Sequence, residues 1–224
     1  MVKKICKDKE LPDYTRNEEL FHTISHAVGG VLGLFALVIC IRISISHDNL
    51  YGVAASTVYG LCMVVLYAVS GLYHGMNPKR PIKKLFRTFD HCSIFLLIAG
   101  TYTPISLCAL RMQSVSLGWG VFAVIWIIAI LGIVINSIDI NKYQLFSLIC
   151  YIIMGWGVLI FANPLFVAVG GTGIALLVAG GICYSVGAVI YAALKRVRYS
   201  HSVFHILCLA GSVLHLLCIY YCVL

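Results

Sequence analysis

Seven separate runs of about twenty apolar residues dominate this chain, near 26–46, 50–74, 89–110, 117–136, 143–161, 171–194 and 202–223. A run of that length, wound as a helix, spans the roughly 30 Å hydrocarbon core of a bilayer. In lipid every backbone N–H and C=O must be paired internally, so helices are the expected form. The short alternating segments of an outer-membrane barrel are absent. Seven spans with short loops use almost all of the 224 residues and leave no room for a second soluble domain. The expected fold is therefore an all-α integral membrane protein: a polar tail over 1–25, then a bundle of seven transmembrane helices over 26–224. Composition agrees, since 61% of residues are hydrophobic, 11% are charged and the mean hydropathy is +0.99. Soluble domains carry about 25% charged residues, so a soluble protein, a disordered chain and a coiled coil are excluded.

The first twenty residues, MVKKICKDKELPDYTRNEEL, are polar and do not read as a cleavable signal. There are ten cysteines, nearly all inside or beside apolar runs and without a CxxC pair, so they read as packing residues rather than a disulfide framework. Pro104 is expected to kink the third helix, with Tyr102 and Thr103 satisfying the backbone groups it frees. The five glycines within 169–181 mark either close packing or a flexible start to the sixth helix. No internal repeat stands out.

The net charge of +8 could suggest a nucleic-acid partner, but its distribution indicates topology instead. Lys3, Lys4, Lys7, Lys9 and Arg16 lie in the tail. Lys79, Arg80, Lys83, Lys84 and Arg87 follow the second span. Lys142 follows the fourth, and Lys195, Arg196 and Arg198 follow the sixth. These fourteen of the sixteen basic residues fall on one side, and only Arg42 and Arg111 on the other. The positive-inside rule makes the rich side cytoplasmic, with the N-terminus inside and the C-terminus outside. That orientation is opposite to a G-protein-coupled receptor, and the expected location is the cell's inner (plasma) membrane.

Polar side chains in lipid are costly and mark function. Under this topology His26, His74, Asp90, His201 and His205 come from four helices to one layer near the cytoplasmic leaflet. His201 and His205 are i, i+4 and share a helix face. Two such imidazoles can grip one metal ion, and His74 would complete a three-histidine site with an open fourth position, the layout of catalytic zinc. A water held there is acidified toward neutrality and becomes a nucleophile. Asp90 is placed to hydrogen-bond it, and Ser70 lies one turn before His74 on the same face. A histidine pair at a helix end also fits an interfacial pair snorkelling to headgroups, and that alternative stays open. Of the rest, His26 is expected to bond a tail carboxylate such as Glu19. His91 reads as a packing or hydrogen-bonded neighbour, His215 as bonded to another helix, Cys208 as core packing, and His22 and His47 as solvated.

At these residues the chain resembles the bacterial hemolysin III proteins, of the superfamily of progestin and adipoQ receptors and related to alkaline ceramidases. The resemblance covers essentially the whole chain and rests on EELFHTISHAVG (18–29), SGLYH (70–74), FDHCSIFLLIAGTYTP (89–104) and HSVFH (201–205). One departure is His22, where the family usually has Asn. The resemblance implies a seven-helix bundle with its N-terminus inside, zinc on His74, His201 and His205, and Ser70 and Asp90 contacting or orienting the attacking water. Three functions follow as expectations. The first is a zinc-dependent hydrolase of a lipid or acyl amide or ester drawn from the bilayer, with Asp90 as general base. The second is a sensor of membrane state or of a lipid ligand, with structural zinc. The third is a pore-forming cytolysin, which gains little support because no ring of polar residues crosses the bilayer. A coupled transporter is disfavoured, since only one carboxylate lies near the membrane.

Overall fold

The computed structural model describes residues 11–194 and 197–224. Among these residues every regular element is helical. Helix α1 (Arg16–Ser46) is followed by α2 (Leu50–Gly75) and α3 (Ile82–Pro104). A π-helical stretch, Ile105–Leu110, and the short α4 (Arg111–Gln113) carry α3 onward. Then come α5 (Val115–Ile138), α6 (Gln144–Trp156), a 3-10 turn (Gly157–Phe161), α7 (Ala162–Ala193) and α8 (Ser200–Cys218), which ends in a second π turn over Ile219–Val223. Six helical runs are long and apolar enough to cross a membrane.

The first helix starts ten residues earlier than the apolar run suggests. Thr15 caps it: its hydroxyl accepts from the Glu18 N–H, while the Glu18 carboxylate accepts from the Thr15 N–H at 2.9 Å. This reciprocal pair satisfies two of the free donors at a helix start, so helix begins in polar sequence. Glu18, Glu19 and His22 therefore stand on α1 rather than in a tail. The expected segments 143–161 and 171–194 fall within one helical run, Gln144–Ala193. Fifty residues of straight helix would measure about 75 Å, over twice the hydrocarbon core. The run is not straight: it tightens to 3-10 geometry at Gly157–Phe161 and breaks at Gly170, whose φ of 68° favours glycine.

Pro104 closes α3 at the π-helical stretch, the backbone change expected of a proline in a helix. Ser106, rather than the residues before the proline, donates to the neighbouring carbonyls, those of Tyr102 at 2.8 Å and Thr103 at 3.1 Å. Tyr102 reaches across to the Met154 carbonyl at 2.6 Å, and Thr103 donates to Ala99 O while accepting from Trp126 Nε1 at 3.1 Å. These bonds tie α3 to α5 and α6.

Helices α1 and α2 approach closely at Gly29, where an added Cβ would lie 2.3 Å from the Tyr67 ring. Tyr67 is fully buried, and its hydroxyl bonds Ser212 on α8 at 2.7 Å. One core gathers around Phe95, Ala99, Ala129, Met154 and Leu165, and a second around Ala36, Tyr59, Met63, Tyr67 and Ile219. Large apolar side chains such as Val31, Leu34, Ile130 and Val189 point outward, as lipid-facing surfaces require. The nine cysteines among the described residues are all free thiols.

Candidate metal centre

At the end of the bundle that carries Lys83 and Arg87, four helices deliver polar side chains to one place. Helix α1 presents Glu19, His22, Ser25 and His26, steps of three and four that share one helix face. Helix α2 contributes Ser70 and His74, α3 contributes Lys83 and Asp90, and α8 contributes His201, Ser202 and His205. The start of α8 is fastened to α1, because the Tyr199 N–H donates to Glu18 Oε1 at 2.8 Å. Tyr199 adopts the left-handed conformation there, with φ of 62°.

The hydrogen bonds settle which ring nitrogens face inward. His74 Nδ1 lies 2.6 Å from Glu19 Oε2. A carboxylate accepts, so Nδ1 carries the proton, and in that tautomer Nε2 is bare. Ser25 donates its one hydroxyl proton to the His22 carbonyl at 3.0 Å, so it accepts from His205 Nδ1 at 3.1 Å. The Nε2 of His205 is then bare as well. His201 Nε2 lies between them, 3.3 Å from that of His74 and 3.1 Å from that of His205. A proton on His201 Nε2 can bridge to one neighbour only, so one close pair of lone pairs remains uncompensated. A shared cation relieves it. Ligand nitrogens on a tetrahedral zinc, with bonds of about 2.0–2.1 Å, stand about 3.3 Å apart, matching these separations. A carboxylate on the outer nitrogen of His74 and a hydroxyl on that of His205 are the usual support of such a site, while His201 Nδ1 is enclosed without a partner among the described residues.

His22 corrects the expectation of a solvated residue. It is fully buried, and its ring centroid lies 4.6 Å from those of His74 and His205 and 4.7 Å from that of His201. His22 Nε2 contacts Ser202 Oγ at 3.0 Å, and Nδ1 is enclosed without a partner among the described residues. His22, His74, His201 and His205 offer ligand atoms within 4.8 Å of one another and could together hold a metal ion. The polar flank, the absence of a strong apolar run before residue 26 and the helix start hidden in the tail all obscured His22. Its three-residue spacing from Glu19 and four-residue spacing to His26 was the available signal.

His26 is also corrected. Glu19, its expected partner, bonds His74 and, at 2.6 Å, Lys83 Nζ. His26 instead stacks on His205 with centroids 3.6 Å apart, and both its nitrogens are enclosed without partners among the described residues. Tyr14, just before α1, covers the cluster by stacking on His201 at 5.1 Å. Burial pushes the Tyr14 phenol up, so it remains protonated. Lys83, wholly buried, also donates to the Met76 carbonyl at 2.9 Å.

Ser70 is buried one helical turn before His74, and it lines the same cavity as Asp90, His201 and His205. The five residues singled out from sequence, Ser70, His74, Asp90, His201 and His205, are thus brought together. Other readings also stand: His215 bonds the Leu177 carbonyl of α7 at 3.2 Å, His91 packs near Tyr191, and His47 is exposed.

Ser70, Asp90, His201 and His205 form one end of an internal cavity of about 170 Å³. Along α3 its wall runs from Asp90 through Ile94, Leu97 and Ile98 to Ile105. Fifteen residues of helix correspond to about 22 Å of depth. Beyond the site the walls are largely apolar, with Leu148, Ile152 and Val158 on the facing side.

A family model described as haemolysin-III related matches residues 14–216. Hemolysin-3 of Bacillus cereus is 40% identical over 207 residues, covering 92% of both chains. The Hemolysin-3 homolog of Bacillus subtilis is 34% identical over 211 residues, covering 94% of this chain and 97% of its own. The human monocyte to macrophage differentiation factor is 23% identical over 173 residues, covering 75% of this chain and 70% of its own, a relative within the wider progestin and adipoQ receptor superfamily. A chain matched over most of its length by the family model and by both Bacillus proteins belongs to the haemolysin-III-related membrane protein family.

Proposed function

We propose that this protein is a zinc-dependent intramembrane hydrolase of a lipid or acyl amide or ester. One observation carries the reading: a deep, largely apolar cavity ends at a cluster of close imidazole nitrogens, with Asp90 and Ser70 on the same wall. The ligands are His74, His201 and His205. When bound, zinc supplies Lewis acidity toward the carbonyl and acidifies water. Asp90 is placed to take the proton of an attacking water and return it to the leaving group. Ser70 orients the Asp90 carboxylate, and the apolar cavity holds the acyl chain and excludes bulk water.

The same proposal includes the topology. The fifty-residue run over Gln144–Ala193 contributes two crossings, making seven in all. The N-terminus is cytoplasmic and the C-terminus outside, in the plasma membrane. A second reading rests on His22: a fourth histidine can close the coordination sphere, as in structural zinc sites. The protein would then be a sensor locked by metal.

Metal content of the purified protein is the direct test. Wild type should carry one zinc per chain, and His74→Ala should lose it. Asp90→Asn should keep zinc and lose turnover of an acyl amide presented in vesicles. Zinc-free wild-type protein would refute the metal reading, and undiminished turnover in Asp90→Asn would remove the hydrolase mechanism. Under the structural-zinc reading, His22→Asn lowers zinc affinity by 100-fold or more; under the hydrolase reading it leaves zinc bound. Leakage of dye-loaded liposomes that survives His74→Ala would favour a cytolysin.

A further inference from the structure

The apolar cavity has a polar feature far from the metal centre. His215 lines it on α8, ten residues beyond His205, or about 15 Å deeper along the helix. Its Nε2 contacts the Leu177 carbonyl of α7 at 3.2 Å. A carbonyl only accepts, so Nε2 carries the proton. An imidazolium in this apolar surrounding would carry a heavy desolvation cost, so the ring is neutral and Nδ1 is a bare acceptor. Nδ1 has no hydrogen-bond partner among the described residues, and it is not one of the enclosed ring nitrogens.

The ring is held rigidly in this pose. A Cβ at position 180 would stand 2.3 Å from His215 Cδ2, so only glycine leaves space for the imidazole against α7. One turn further along α7 the Tyr184 ring meets it edge-on at 5.3 Å. Tyr184 is itself fixed, its hydroxyl bonded to Ser212 at 2.7 Å, and Ser212 also bonds Tyr67 at 2.7 Å. Those hydroxyls satisfy one another. His215, on the cavity wall, keeps Nδ1 as an acceptor with no donor among the described residues, and a plain hydrocarbon chain offers it nothing.

We propose that His215 is a second recognition point, which accepts a hydrogen bond from a hydroxyl carried near the middle of an acyl chain. The ligand's carbonyl end then lies at the metal centre and its hydroxyl about 15 Å away, so the protein prefers mid-chain hydroxylated acyl ligands to unsubstituted ones. This rests on the reading of the cavity as an acyl-chain site.

The test is binding to the zinc-loaded protein in nanodiscs, by competition with a fluorescent fatty acid. The probes are stearic acid, stearic acid hydroxylated at mid-chain, and stearic acid hydroxylated beside the carboxyl group. Wild type should bind the mid-chain isomer roughly fivefold or more tightly than stearic acid, from one net hydrogen bond. The isomer hydroxylated beside the carboxyl group should gain nothing. His215→Phe should erase the preference and keep its zinc. Equal binding of all three acids to wild type overturns the proposal without recourse to a variant, as does a preference that survives in folded His215→Phe. If none of the three acids binds, the acyl-chain reading fails and His215 loses its role with it.

Discussion

Glu19 bonds two different partners, and replacing it separates them. Its Oε2 accepts from His74 Nδ1 and its Oε1 from Lys83 Nζ, each at 2.6 Å. Glu19→Gln keeps the shape and removes the charge. Lys83 is 1% exposed and would be left with neutral partners, the amide oxygen at position 19, the Met76 carbonyl and the face of Tyr73, and with no counter-charge. Leaving one partner of a buried ion pair uncompensated costs about 3–5 kcal/mol. Glu19 retains 15% side-chain exposure, so the low end, about 3 kcal/mol, applies. For a chain of this length that corresponds to about 6–12 °C in the unfolding midpoint. Separately, a ligand histidine that loses its carboxylate partner weakens metal binding by about 10–100-fold. Thermal unfolding of metal-free protein in detergent reads the first effect, and zinc titration reads the second. Adding Lys83→Met removes the unpaired charge and should restore most of the stability but none of the zinc affinity. Glu19→Gln protein with wild-type zinc affinity would refute the orienting role. A double variant no more stable than the single one would refute the buried-charge argument.

Other positions give sharp contrasts. Ser25→Ala removes the acceptor of His205 Nδ1 and should weaken zinc binding about tenfold, with little change in the metal-free unfolding midpoint. Gly29→Ala drives a methyl to 2.3 Å from the pinned Tyr67 ring and should destabilise the fold by about 1–3 kcal/mol, whereas Gly30→Ala meets nothing within 4 Å and should be near neutral. Equal melting of these two variants would contradict the close packing of α1 on α2. Gly180→Ala should displace the His215 imidazole, seen as a shifted ring signal in histidine-labelled protein, while zinc content stays at the wild-type level.

Long apolar runs were legible because lipid leaves the backbone no alternative to the helix, and length then sets the number of crossings within narrow limits. Where each helix starts was less legible. The beginning of α1 depends on Thr15 and Glu18 capping one another, a local polar device that hydropathy averages away. The Gln144–Ala193 run shows the reverse: hydropathy marked two segments, but helix continues across them through a 3-10 turn and one positive-φ glycine. Spacing placed His201 and His205 on one face, and charge distribution placed His74 and Asp90 at the same depth, so these residues of the site were readable without coordinates.

What the order of residues could not convey is which imidazole nitrogen faces which neighbour, because that depends on side chains 55 to 180 positions apart in the chain. Ser25 meets His205 and Glu18 meets Tyr199 only because α1 and α8 lie side by side. The same packing takes His22 out of water and into the cluster, and draws Glu19 to His74 rather than to His26. Periodicity and apolar length follow from the one-dimensional pattern, since each segment meets the bilayer alone. The histidine cluster and the cavity beneath it arise from contacts between segments, where hydrogen bonds between helices choose a single arrangement.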